Sequence, residues 1–137
     1  MNEKVLGYLT EYFQINDFFK KFYELVFTDK RLLIINTGET FRSWFARTDV
    51  AYSKRENLLE MDIMDIFKNF EEKKIESIYY KNIEEIVLSN KTFIKNGKIK
   101  IELCEGKKTY YTSKENSIGE IQKICREYDV PITITVN

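Results

Sequence analysis

The stretch from Tyr23 to Thr37, Y-E-L-V-F-T-D-K-R-L-L-I-I-N-T, constrains the fold most. Two runs of aromatic, β-branched and leucine residues flank the polar tetrad Thr28-Asp29-Lys30-Arg31. Strand, tight turn and second strand is the natural reading, with Phe22 to Thr28 and Arg31 to Asn36 as the two arms. In the second arm Leu32 and Ile34 point one way and Leu33 and Ile35 the other. A strand apolar on both faces must be covered on both. The segment that follows it in sequence is the nearest candidate for the second cover.

Past Gly38 the hydrophobic period changes. From Phe41 to about Phe70 it lengthens from two to about 3.6, which predicts one or two helices inserted after the third strand. Phe41, Trp44, Phe45 and Tyr52 fall near one helical face. Arg42, Arg47, Lys54 and Arg55 fall largely elsewhere. Strand signals return at Ile78-Tyr79-Tyr80, and Lys81-Asn82 reads as a turn before Ile83 to Leu88. Asn96-Gly97 reads as a hairpin turn between Lys91-Thr92-Phe93-Ile94 and Lys98 to Cys104. In the latter run Ile99, Ile101 and Leu103 alternate with Lys98, Lys100 and Glu102, as in a sheet with one wet face. Glu105-Gly106 makes the next turn, before Thr109 to Thr112.

Ser117-Ile118-Gly119-Glu120 has the form of a capping box. The helix after it carries an apolar stripe of Ile118, Ile121, Cys125 and Tyr128, with Ile124 beside it, and ends at Asp129 and Pro131. Ile132 to Val136 alternates and reads as a final short strand. Near the N-terminus, Val5 to Phe13 suits a strand or a short helix, and Gln14 to Lys21 reads as a connection. Runs of strands capped by one helix predict a single α+β domain over residues 1–137, with a strongly bent antiparallel sheet or partly open barrel.

The same segments resemble a known family. Leu25 to Ile35 is similar to the T-D-K/R-R-L segment of bacterial and archaeal pleckstrin-homology-like domains, which are related in shape to GRAM domains. I-Y-Y-K-N-I-E-E-I-V-L (Ile78 to Leu88) resembles their I-P-Y-x-x-I-x-x-V-x-L strand, with Tyr79 in place of the proline. Gly97 to Ile101 with Gly106-Lys107-Lys108 resembles the next hairpin, and the final amphipathic helix matches too. The resemblance covers roughly Phe22 to Tyr128. It implies a PH-like sheet and a binding role. Eukaryotic relatives often bind phosphoinositides through basic residues on the first strand–loop–strand, where this chain offers only Lys20 and Lys21.

Function is constrained mainly by what the chain lacks. It has no histidine among its 137 residues, so the commonest general base and metal ligand are missing. The carboxylate pairs Glu84-Glu85, Glu71-Glu72 and Asp62/Asp65 read as solvated charge, and Asn36 to Thr40 lacks the spacing and lysine of a phosphate loop. No catalytic residue, cofactor or metal is expected, and the chain reads as non-enzymatic. Lys+Arg and Asp+Glu are both 22, which gives no bulk attraction to nucleic acid. Cys104 and Cys125 read as independent free thiols. With no apolar run of membrane-spanning length and no signal-peptide pattern at the start, a cytoplasmic setting is expected.

Two candidate surfaces remain. Phe41, Arg42, Trp44, Phe45 and Arg47 could form a face for a protein partner or a second copy of the chain, seat a helix at a lipid boundary, or pack onto the sheet. Lys98, Lys100, Lys107 and Lys108, with Lys20 and Lys21, could face an anionic ligand or membrane. The plainer alternative for the lysines is protection of an exposed strand edge. A non-enzymatic binding or scaffold module serving protein interaction or self-association is the expectation, with a peripheral membrane or anionic-ligand module as the alternative.

Overall fold

A computed structural model describes residues 3–16, 19–36, 74–114 and 117–137. Eight strands form one sheet: β1 (Val5–Asn16), β2 (Phe19–Thr28), β3 (Arg31–Asn36), β4 (Ile75–Tyr79), β5 (Ile83–Ser89), β6 (Gly97–Leu103), β7 (Gly106–Thr112) and β8 (Ile134–Val136). Their order is β4-β3-β2-β1-β7-β6-β5-β8, and one helix, α1 (Ser117–Glu127), lies between β7 and β8 in the chain. The domain is α+β, with an open sheet.

The β2–β3 hairpin has the expected arms. Phe27 pairs with Leu32 and Tyr23 with Asn36. The Thr28 hydroxyl oxygen accepts the Lys30 and Arg31 amides at 3.2 and 2.9 Å, which holds Asp29-Lys30 in a tight turn. Leu32, Leu33, Ile34 and Ile35 are all buried. Leu32 and Ile34 join the main core, whereas Leu33 and Ile35 join Val26 in a second cluster with Val5, Tyr8 and Ile75 against it. Both faces are therefore covered. The helical insert expected over about 41–70, with Phe41, Arg42, Trp44, Phe45 and Arg47, lies outside the described residues.

The N-terminal reading needs correction. Val5 to Phe13 is strand, and the supposed connection Gln14 to Lys21 is mostly strand as well. Gln14 pairs with Lys21, Ile15 with Lys20 and Asn16 with Phe19. Polar residues there belong to hairpin ends, where alternation with apolar neighbours is weak. β1 carries a bulge between Leu9 and Tyr12, with Glu11 at φ 67°. A bulge bends its strand and increases local twist. Beyond it, Tyr12 and Phe13 pair with Thr112 and Tyr111 while β1 remains paired with β2. β1 thus joins the two halves of the sheet at a bend.

The sheet must curl strongly. β4 and β5 stand six strand positions apart, which in a flat sheet is about 29 Å. Only the 3-10 turn Tyr80–Asn82 links them, and that reach is at most about 14 Å. Likewise Lys108 of β7 and Glu76 of β4, four positions apart, meet at 2.8 Å across the mouth of the curl. The inner face holds one continuous core, including Leu25, Leu32, Ile86, Ile99 and Ile101.

Helix α1 closes part of that core with Ile118, Ile121 and Cys125 buried. It lies so close to β1 that a Cβ on Gly7 would stand 2.3 Å from Ile124 Cδ1. The helix starts at Ser117, and the Glu120 carboxylate in its first turn pairs with Lys114 at 3.3 Å. Tyr128 is exposed beyond the last turn and drops out of the stripe. Asp129 adopts φ 52°, and the Val130 amide donates to the Cys125 carbonyl, which ends the helix. β8 then runs parallel to β5, so the sheet is mixed and not purely antiparallel. No helix among the described residues is long and apolar enough to cross a membrane.

Candidate functional site

Register separates the lysines of β6 from those of β7. β6 lies between β5 and β7, and β7 lies between β6 and β1. β6 is paired along both sides, so Lys98 and Lys100 do not guard a sheet edge. β7 meets β1 only at Tyr111 and Thr112, which leaves the Lys107–Lys108 stretch without a partner strand on that side among the described residues. Lys98 pairs across to Tyr111, Lys100 to Thr109 and Lys107 to Glu102, which puts these three lysines on the outer face. Lys108 pairs with the core residue Ile101 and so sits on the inner side, bound to Glu76. Lys100 meets Glu102 at 3.3 Å.

The candidate anion surface does not come together in one place. Lys98 and Lys107 are about 13 Å apart along the strands, four residues of register. β1 runs toward the Lys107 end, with the Gln14 amide donating to the Thr109 carbonyl at 3.1 Å. Lys20 and Lys21 sit on β2, paired with Ile15 and Gln14, two strands from β7 and three from β6.

The Lys98 end carries a feature that the sequence reading missed. Lys91-Thr92-Phe93-Ile94 is not a strand, and Asn96-Gly97 is not a two-residue turn. Ser89 pairs with Lys98, which leaves residues 90–96 as an exposed loop between β5 and β6. Phe93 is fully exposed and Ile94 is 89% exposed. Local bonds pin the loop: the Thr92 amide donates to the Lys95 carbonyl at 2.8 Å, and the Lys95 amide to Thr92 Oγ1 at 2.9 Å. A groove of about 570 Å³ lies below it, lined by Ser89, Asn96, Lys98 and Tyr111 among others. Lys91, Lys95 and Lys98 have no carboxylate partner among the described residues. The available signal was charge: Ser89 to Ile101 holds four lysines and no acid.

Reactive groups elsewhere are quiet. Among the described residues, no group of three or more His, Cys, Asp or Glu side chains is placed to hold a metal ion. Cys104 and Cys125 are free, and burial pushes the Cys125 thiol up to about 11, away from the thiolate form that reacts. Cys104 lies in the exposed turn after β6, not in the strand expected for it.

Burial is also the main cause that raises the hydroxyls of Tyr12, Tyr80 and Tyr110 well above the ordinary 10.0. The Glu120 charge adds to it at Tyr12 and the Glu76 charge at Tyr110. Because the folded values are raised, the stability linked to these groups is fully present below pH 10 and falls as pH rises above it, when the unfolded chain ionises first. Urea unfolding between pH 8 and about 11.5 should show that fall, at up to about 1.4 kcal/mol per pH unit for each tyrosine.

Comparisons with protein-family models, curated proteins and solved structures found no match for this chain.

Proposed function

We propose that this chain is a non-enzymatic binding module of pleckstrin-homology-like fold, which docks onto a larger surface through its β5–β6 end. The fold part of this reading is supported by the strongly curled sheet, the T-D-K-R turn joining β2 to β3, and the amphipathic helix after β7. The apolar positions of Ile78 to Leu88 also suit it. Ile78, Tyr80, Ile83, Ile86 and Leu88 are buried, while Tyr79, in the family's proline position, points outward. Two free thiols suit a reducing compartment such as the cytoplasm.

The docking part rests on the loop pair Phe93 and Ile94. Two large apolar side chains held in water give up roughly 1.5–3 kcal/mol each relative to a buried state, and a partner surface recovers it. The partner classes are a protein or second copy of the chain, and an anionic membrane. The test is a Phe93→Ser/Ile94→Ser variant compared with wild type by sedimentation velocity over rising concentration and in partner-binding assays. Because neither side chain is buried, folding stability should change by less than about 0.5 kcal/mol. Association should be lost with the loop. Identical association of variant and wild type would remove the β5–β6 end as the working surface.

A further inference from the structure

Resting on that reading, we infer that the surface which the β5–β6 loop docks onto is an anionic lipid bilayer, with Phe93 and Ile94 entering the acyl–headgroup boundary. Shape is the first reason. A stable protein interface needs roughly 800 Å² per partner of complementary, fairly flat surface. Here the apolar surface is two adjacent side chains at the tip of a loop, standing clear of the sheet. A bilayer accepts such a projection without a matching cavity, because lipid tails rearrange around it.

Charge is the second reason. Lys91 and Lys95 flank the apolar pair directly, and Lys98 stands at the base of the loop on the first turn of register into β6. None of the three has a carboxylate partner among the described residues, so their charge is available to an outside anion. Apolar tip and cationic collar match, in order, the depth profile of an anionic leaflet: tails beneath, phosphate and carboxylate groups above. Tyr111, partly exposed beside Lys98, adds an aromatic ring at the level where such rings favour the membrane–water interface. The groove under the loop sets Lys98, Lys95, Asn96 and Ser89 around a space suited to a headgroup.

Preorganisation is the third reason. The two hydrogen bonds between Thr92 and Lys95 fix the loop before it meets a partner, so little ordering cost is due on binding. Lys107 lies four residues of register from Lys98, and Lys20 and Lys21 lie three strands from it on β2, so none of them is part of this surface.

Vesicle co-sedimentation of the whole chain tests the inference, with phosphatidylcholine vesicles carrying or lacking phosphatidylserine. Wild type should bind the anionic vesicles at low salt and weaken steeply as salt rises. Phe93→Ser/Ile94→Ser should weaken binding about tenfold or more. Replacing Lys91, Lys95 and Lys98 by Gln should cost roughly fivefold per lysine. Lys107→Gln should leave binding within about twofold, and circular dichroism of every variant should match wild type. Absence of wild-type binding to anionic vesicles at low salt, or binding that survives the loop variant unchanged, would overturn the inference. If vesicle binding is absent but loop-dependent association with a protein or with itself is present, the membrane falls and the binding-module reading stands. If the loop variant alters no association at all, both fall.

Discussion

Tyr80→Ala is expected to destabilise the domain by about 3–5 kcal/mol, among the largest single-residue effects available in this chain. Tyr80 opens the three-residue link that turns β4 into β5. Its ring is buried in the inner core, and its hydroxyl donates to the Thr28 carbonyl at the far end of β2. One side chain therefore fills the corner of the curl and ties that corner to the hairpin. Removing the ring leaves a cavity that a backbone fixed by two flanking strands cannot close. Tyr80→Phe should cost only about 1–2 kcal/mol, because it strands the Thr28 carbonyl but keeps the packing. Urea denaturation of the two variants separates the contributions. A loss below about 1 kcal/mol for Tyr80→Ala would mean that the corner does not depend on this ring.

Thr28→Val should cost about 2–4 kcal/mol, although it preserves shape. A hydroxyl has two lone pairs and one proton. At Thr28 the oxygen accepts the Lys30 and Arg31 amides. Its proton faces the Glu3 carboxylate and, at 2.9 Å, the Arg31 carbonyl. Glu3 is itself buried and paired with Arg31 Nε at 3.1 Å. Arg31 reaches on to Ser77 at 3.1 Å and stacks over the Tyr79 ring. Valine would leave two turn amides without this acceptor and a buried carboxylate without this donor. Calorimetry should show a fall in Tm of roughly 10 °C for Thr28→Val and a much smaller one for Thr28→Ser. Equal behaviour of the two variants would mean that the β-methyl, not the hydroxyl, matters at this position.

These two residues also show why part of the fold was legible. The T-D-K-R tetrad announces a turn because the Thr28 hydroxyl bonds the tetrad's own backbone, a local event that sequence spacing records. The Ile99-Ile101-Leu103 alternation was readable for the same reason, since one face is core and the other is wet. Three features were not legible. Gln14 to Lys21 looked like a loop because a hairpin end buries little, so polar residues are tolerated there. Phe93 and Ile94 looked like strand because apolar, β-prone residues normally find a sheet. Only the Ser89–Lys98 pairing, set by the tertiary structure, leaves them outside it. Lys98, Lys100, Lys107 and Lys108 looked like one surface because they are close in sequence, but alternation and strand direction send them to two ends and two faces. Lys108 in particular spends its charge on Glu76, a contact that exists only because the sheet curls.

The curl therefore decides which part of the chain is free to act. It places Tyr80, Glu76 and Lys108 inside or across the mouth, where they hold the fold. It leaves the β5–β6 loop outside, with its apolar tip and with lysines that have no carboxylate partner among the described residues.

Tryptophan placed at the loop tip tests the docking account most directly. The difference emission spectrum between Phe93→Trp and wild type isolates the new ring from Trp44. In buffer it should be that of a water-exposed indole, open to an aqueous quencher. On adding phosphatidylserine-containing vesicles it should shift to the blue and become protected from that quencher, while phosphatidylcholine vesicles leave it unchanged. An indole that stays red-shifted and quenchable on anionic vesicles would contradict the account.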